Sequence, residues 1–134
     1  MAVPVRLRPQ VRRFNRFARR FADRVPPFVV VHSVGRRSGR RYETPVVAFA
    51  GYHEGTRMVA TPLVWGRDAG WCLNVRAAGW YTLTRRRRDY LVDELRIVPG
   101  AEAVHIVGRG ARLAAAVVHP QEWIVGRLCP PPAV

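Results

Sequence analysis

The sequence contains no lysine, so all 23 of its basic residues are arginine. Acidic residues are also scarce: 9 of them face this arginine surplus, and the formal net charge is +14. A complete lack of lysine reflects base composition as much as chemistry, but the surplus of positive charge remains. It predicts an anionic partner and leaves three classes open: nucleic acid, an acidic membrane surface, and a phosphorylated or carboxylated small molecule.

Cysteines and long apolar runs are rare as well. Cys72 and Cys129 form no C-x-x-C pair, and the arginine-rich N-terminus lacks the pattern of a signal peptide, so we expect a reduced, cytoplasmic protein. The apolar stretch around residues 28–31 is far shorter than the ~18 to 20 residues that cross a bilayer, which predicts no membrane span. The four histidines are scattered without ligand spacing, and no metal site is expected.

The length and composition predict one folded domain over residues 1–134, because 49% of the residues are apolar and can form a core. At residues 11–25, apolar side chains recur at helical spacing among arginines, which predicts a basic amphipathic helix that ends at Pro26. Two interpretations of this helix stay open. It packs its phenylalanines on the core, or it rests on an anionic membrane and holds the protein at the inner face of that membrane.

Short runs of β-branched and aromatic residues, separated by glycine turns, predict strands over residues 28–34, 42–50, 57–61, 80–84 and 90–98. The turn Gly35 to Gly39 joins the first two into a hairpin, residues 51–55 form a second turn, and a short helix is inserted at residues 70–78. The pattern is typical of a small, mostly antiparallel barrel over about residues 27–98.

The C-terminal segment, residues 99–134, gives mixed signals. Residues 104–107 are strand-like, whereas the alanines at 114–116 favour a helix. A last helix is predicted to begin at His119-Pro120 and to run through Glu122, Trp123 and Val125.

The turn between the first two strands has the chemistry of an anion cradle. Its terminal glycines allow backbone N–H groups to converge on a bound oxygen, and Ser38 adds a hydroxyl. The forked guanidinium groups match phosphate or carboxylate oxygens, and they belong to Arg36, Arg37, Arg40 and Arg41. The turn lacks the lysine and the glycine spacing of a P-loop. Taken by itself, a solvated loop explains it equally well.

A second unusual stretch lies at residues 60–80, where a loop with Trp65 and Arg67 leads into a helix with Trp71 and Asn74. The order along the chain is a basic N-terminal helix, then GRRSGRRYETPV, a loop of small residues, and WCLNVRAAG. This order resembles the deazaflavin-dependent nitroreductase family, also described as F420H2-dependent quinone reductases. The resemblance covers about residues 11–98.

The resemblance implies a mainly β (α+β) fold, a split β-barrel of the flavin/deazaflavin-binding type. It also implies that the chain binds coenzyme F420, whose phosphate and oligoglutamate tail would account for the basic turn, and passes a hydride to a quinone, nitroaromatic or activated-alkene acceptor. No protein residue is assigned a catalytic role. The cofactor-binding residues it implies are Gly35, Arg36, Arg37, Ser38, Gly39, Arg40, Arg41, Pro45, Ala60, Thr61, Pro62, Arg67, Trp71 and Asn74.

The chain also departs from the family pattern. Leu73 stands where a histidine is frequent, Trp65-Gly66-Arg67 replaces a glycine pair, and no tyrosine-bearing C-terminal segment is recognised. These departures leave the acceptor open, together with two alternative functions: a basic β-barrel that binds nucleic acid, and an F420-binding carrier without catalysis. The run Arg85 to Arg88 is predicted to be a solvated turn.

Overall fold

The computed structural model describes residues 28–108, 112 and 122–129. The predicted basic helix at 11–25 and the alanine run at 114–116 lie outside the described residues. The elements in chain order are β1 (Phe28–Val34), β2 (Arg41–Val47), β3 (Phe49–His53), β4 (Thr56–Pro62), α1 (Gly70–Ala78), β5 (Tyr81–Arg85), β6 (Arg88–Pro99), α2 (Gly100–Val107) and β7 (Glu122–Cys129).

The strands form one antiparallel sheet in the order β2-β1-β5-β6-β7-β4-β3. Strands β2 and β3 lie at opposite edges of this sheet, yet only Ala48 separates them in the chain. Because one residue spans less than about 4 Å, the sheet has to roll until its two edges meet, and β2 indeed contacts β4. The predicted mainly β class is confirmed. In the described residues β2 and β3 are not hydrogen-bonded to each other, so the rolled sheet is not a closed barrel.

Several elements predicted from local sequence patterns are found at the predicted positions. Residues 28–34 form β1, and residues 70–78 form α1, which ends where Gly79 adopts a φ of 84° and donates its N–H to Val75. The predicted strand at 42–50 is instead two strands, broken at Ala48 where the chain passes from one edge of the sheet to the other. The predicted turn at 51–55 shrinks to Glu54 and Gly55, since Gly51 already pairs with β4.

The predicted C-terminal helix is wrong, because residues 122–129 form β7, an interior strand between β6 and β4. Trp123, Ile124 and Val125 are each at most 1% exposed. A strand that is buried on both faces has a continuous apolar run instead of an alternating one, and periodicity cannot distinguish such a run from a helix. The strand-like residues 104–107 lie in helix α2.

Two apolar clusters stabilise the fold, one on each face of the rolled sheet. Val31, Val75 and Ile124 belong to the interior cluster, where α1 covers the sheet. Trp123 and Ile106 belong to the second cluster, where α2 packs on the outer face. The two helices therefore lie on opposite faces of the sheet, and α1 contacts the turn that follows β1.

Candidate functional site

The Gly35–Gly39 turn is closed by its own backbone. The Gly35 N–H donates to the carbonyl oxygen of Arg40 (2.7 Å), and the Gly39 N–H donates to that of Gly35 (3.0 Å). Gly39 has a φ of 71°, which favours glycine, and a Cβ on Gly35 would lie 2.5 Å from the Ser38 hydroxyl. That hydroxyl oxygen accepts a hydrogen bond from the Arg40 N–H (3.2 Å). Both glycines and Ser38 therefore hold the shape of the turn.

The side chain of Asn74 hydrogen-bonds the turn to helix α1. Asn74 Oδ1 accepts hydrogen bonds from the backbone N–H of Arg36 (3.2 Å) and from its guanidinium (2.9 Å). Asn74 is only 8% exposed, whereas Arg36 is exposed, so the contact is partly buried. Asparagine is a poor residue for the interior of a helix, and here its carbonyl group serves a contact between two elements. The two motifs singled out in the sequence thus meet in space.

The remaining guanidinium groups of the turn carry uncompensated charge. Within the described part of the chain, Arg37, Arg40 and Arg41 are exposed and form no ion pair with a carboxylate. Elsewhere in these ranges, arginines do have carboxylate partners, in the pairs Arg67–Glu122, Arg96–Glu102 and Arg127–Asp93. The turn therefore presents a concentrated positive charge on a rigid backbone.

Arg67 is engaged in a structural contact. Its guanidinium makes two hydrogen bonds to the carboxylate of Glu122, one of them from Nε at 3.0 Å. These bonds raise the pKa of Arg67 and lower the pKa of Glu122. Arg76 on α1 also donates to the Arg67 carbonyl oxygen (3.4 Å). Arg67 thus braces the loop before α1 against β7, and its charge is already compensated.

The predicted site residues on β4 lie inside the protein. Ala60 and Thr61 are 0% and 1% exposed, and Pro62 is buried beside them. The Thr61 hydroxyl has no hydrogen-bond partner of good geometry in the described ranges, and its polar neighbour is the phenol of Tyr81. Burial is the main reason why the pKa of Tyr81 is raised, so this phenol stays protonated. These β4 side chains are buried, whereas Arg37, Arg40 and Arg41 of the turn are exposed.

Two further predicted residues take ordinary structural positions. Pro45 lies on the edge strand β2 opposite Val30, where a residue without an N–H is tolerated. Trp71 is half-buried and packs on the interior cluster under α1.

The run Arg85 to Arg88 lies far from the turn. Val30 pairs with Thr84, so the β5–β6 hairpin turn lies beside Phe28, whereas the Gly35–Gly39 turn follows Val34 at the other end of β1. Seven strand residues span about 20 Å. The two groups of arginines therefore form separate surfaces.

One polar network was missed by the sequence analysis. Thr84 donates its hydroxyl proton to Asp89 Oδ1 (2.5 Å), so His32 Nε2, at 2.7 Å from the same hydroxyl, has to be the donor to it. His32 Nδ1 lies 3.6 Å from Glu43 Oε1. The network links β2, β1, β5 and β6. Only the strand register brings these residues together, and no local pattern indicates it.

Within residues 28–108, 112 and 122–129, no group of three or more histidine, cysteine, aspartate or glutamate residues is arranged to hold a metal ion. No helix in the same ranges has the length and apolarity needed to cross a membrane.

No protein-family model and no curated protein matches the chain. Among solved structures it is similar to an F420-H2 dependent reductase (FDR-A), with 18% identity over 75% of this chain and 94% of that one and a TM-score of 0.49. A structure described as a domain-swapped dimer has 17% identity over 90% and 96%, with a TM-score of 0.47. A pyridoxamine 5'-phosphate oxidase-related, FMN-binding protein from Nostoc punctiforme has 12% identity over 97% and 82%, with a TM-score of 0.44. All three TM-scores lie below 0.5, so these likenesses are distant.

Proposed function

We propose that the chain is a split-barrel reductase that binds coenzyme F420 and passes a hydride from its reduced form to an electron-poor acceptor of the quinone, nitroaromatic or activated-alkene type. The observation that carries the proposal is the pair of hydrogen bonds from Arg36 to Asn74. It joins the Gly-Arg-x-Ser-Gly turn to the Trp-x-x-Asn helix across 38 residues of sequence. These are the two motifs on which the family resemblance rests.

The charge of the turn supports an anionic ligand of this kind. Arg37, Arg40 and Arg41 have no carboxylate partner in the described ranges and lie exposed on a backbone that is fixed at both ends. Guanidinium groups bind phosphate and carboxylate oxygens in a forked geometry, and F420 carries a phosphate and a chain of glutamates. In this proposal the turn binds the acidic part of the coenzyme, and Arg36 is oriented by Asn74.

The reduced coenzyme supplies the hydride, so the protein has to provide binding, orientation and exclusion of water. We assign no catalytic acid or nucleophile to the chain. In this proposal Asn74 keeps Arg36 oriented toward the ligand, Trp71 packs α1 on the interior cluster, and the bond between Arg67 and Glu122 keeps the loop that leads into α1 in place. Ala60, Thr61 and Pro62 are buried on β4 and support the site from the interior of the rolled sheet.

Titration of F420 fluorescence with the purified chain tests the proposal. The double variant Arg37→Gln/Arg41→Gln, called the turn variant below, should weaken binding at least about tenfold, since each charge-assisted hydrogen bond contributes roughly 1.5–3 kcal/mol. A coenzyme with a shortened glutamate tail should lose less affinity through this change. The matched control is Arg86→Asn/Arg87→Gly, called the tip variant. It also removes two positive charges, but at the other end of β1, and it should bind F420 like the wild type.

Activity is tested by mixing reduced F420 with menadione or a nitroaromatic compound. Oxidation of the coenzyme should depend on the concentration of the chain and should slow in the turn variant at subsaturating F420. Tight F420 binding without turnover would assign the chain to the non-catalytic carriers. Retention of oligonucleotides with a steep salt dependence and no affinity for F420 would contradict the proposal in favour of a nucleic-acid-binding barrel.

A further inference from the structure

The β5–β6 hairpin ends in four consecutive arginines. Arg85 pairs with Arg88, and Arg86 and Arg87 form the two-residue tip between them. None of the four forms an ion pair with a carboxylate in the described ranges. The adjacent carboxylate, Asp89, accepts the hydroxyl proton of Thr84 instead. The tip thus carries four arginines without a carboxylate ion-pair partner in the described ranges, and Arg86, Arg87 and Arg88 are exposed.

The backbone of this tip is unfavourable for arginine. Arg86 and Arg87 have φ values of 50° and 64°, and positive φ at both central positions is the type I′ pattern, for which Asn-Gly is the preferred pair. A left-handed backbone is unfavourable for residues with a Cβ, because the Cβ comes too close to the following carbonyl oxygen. Turn formation and mutual repulsion both disfavour arginines here, so the fold does not account for them.

An apolar side chain lies at the same end of the sheet. Phe28 is 44% exposed, and the register that pairs Val30 with Thr84 places Phe28 beside the tip. Positive charge and an exposed aromatic side chain are therefore combined at this end.

We propose that the Arg85–Arg88 tip and Phe28 form a docking surface for an anionic lipid bilayer. Guanidinium groups attract the headgroups, and a neighbouring aromatic side chain enters the interfacial layer. An exposed arginine tip beside the exposed ring of Phe28 suits a bilayer interface, whereas single-stranded nucleic acid is bound in a charged groove with free aromatic rings for stacking. Tyr90, which follows in the same hairpin, already lies under the guanidinium of Arg57, 5.9 Å from its ring centre.

When the hairpin tip contacts the bilayer, the Gly35–Gly39 turn lies about 20 Å from the tip, at the other end of β1. The docking proposal stands on the hairpin alone and does not depend on the identity of the coenzyme. The test therefore compares the turn variant with the tip variant. Each of them removes two positive charges, but at opposite ends of β1.

The experiment is co-sedimentation of the full chain with vesicles of phosphatidylcholine alone and of phosphatidylcholine with about one third phosphatidylglycerol. The tip variant has the preferred type I′ sequence and should fold at least as well as the wild type, which thermal unfolding checks. We expect its partition coefficient on anionic vesicles to fall about 30-fold, since one surface arginine contributes roughly fivefold. The turn variant should change less than about threefold, and high salt should abolish binding of all three proteins.

Equal losses in the two variants would overturn the proposal, because net charge alone would then govern binding. Wild-type binding to neutral vesicles as strong as to anionic ones would also overturn it. So would a tip variant that keeps its vesicle binding but loses retention on an oligonucleotide column, which would assign the tip to nucleic acid. F420 titration of the same variants reports on the turn separately, so that failure of either proposal is recognised by itself.

Discussion

At the scale of single residues, Asn74 connects the two motifs of the candidate site. It lies inside a nine-residue helix, where asparagine is unfavourable, and its Oδ1 receives both N–H groups that Arg36 directs to it. Without this acceptor, a partly buried backbone N–H and a guanidinium lose their partner. The position of the basic turn relative to α1 therefore depends on one amide oxygen.

Replacing Asn74 by alanine should lower the free energy of unfolding by about 1–3 kcal/mol, which is the usual cost of leaving such donors unpaired. Urea denaturation measures this change. Hydrogen exchange should also show faster exchange of the Arg36 N–H. Asn74→Asp keeps an acceptor of the same shape and should lose clearly less stability. An alanine variant as stable as the wild type would show that the contact does not hold the turn.

The bond between Arg67 and Glu122 predicts a pH dependence. Its hydrogen bonds lower the pKa of Glu122 below the ordinary value of 4.5. The stabilisation is therefore present above pH 4.5 and is lost as the pH falls through the lowered pKa. Glu122→Gln should remove this part of the acid sensitivity, so that the urea midpoint of the variant declines less than that of the wild type below pH 4.5. Glu54→Gln is the control: the Glu54 side chain is 87% exposed and only reaches His53 Nε2 at 4.0 Å, so this change should alter the slope clearly less than Glu122→Gln.

At the scale of elements, helix α2 is held on the sheet by a close backbone approach. A Cβ on Gly51 would lie 2.9 Å from Cα and 3.0 Å from the carbonyl oxygen of Val107. These are backbone atoms, which cannot move aside as the end of a flexible side chain can. Glycine at this position therefore sets the distance between β3 and α2, and through it the packing of the outer apolar cluster.

Gly51→Ala should destabilise the fold by about 1–3 kcal/mol, as overpacked sites do. Gly70→Ala is the matched control, because no atom lies within 4 Å of the Cβ it would add at the start of α1, and alanine there should be neutral or slightly stabilising. Thermal or urea unfolding compares the two variants. If both have the stability of the wild type, α2 does not pack on β3 as described.

At the scale of the whole molecule, the dominant feature is a formal net charge of +14. In the described ranges three arginines have carboxylate partners, and the two arginine-rich surfaces lie at opposite ends of β1. Repulsion among like charges opposes the compact state. The arginines without a carboxylate partner at the turn and at the hairpin tip are also the groups that the two proposals assign to anionic ligands. The same positive charges therefore lower the stability of the fold and favour binding of these ligands.

Added salt should therefore stabilise this protein. Raising NaCl from about 0.01 M to about 0.5 M shortens the range of charge repulsion several-fold, and the thermal midpoint should rise by several degrees. Screening also weakens the three exposed ion pairs, but such pairs contribute little. Circular dichroism during heating measures the midpoint. A fall with salt would indicate that ion pairs, and not repulsion, govern the electrostatic part of stability.

The sequence by itself determined β1, the Gly35–Gly39 turn, helix α1 and the concentration of arginine at the turn, because glycine positions, residue period and charge act over a few neighbours. Only the tertiary structure decided that residues 122–129 form an interior strand, that the chain changes sheet edges at Ala48, that Arg67 is engaged by Glu122, and that Arg85 to Arg88 lie away from the turn. These outcomes depend on strand register and on partners distant in the chain. A side chain's neighbours across a rolled sheet are set by that register, and no local period in the sequence records it.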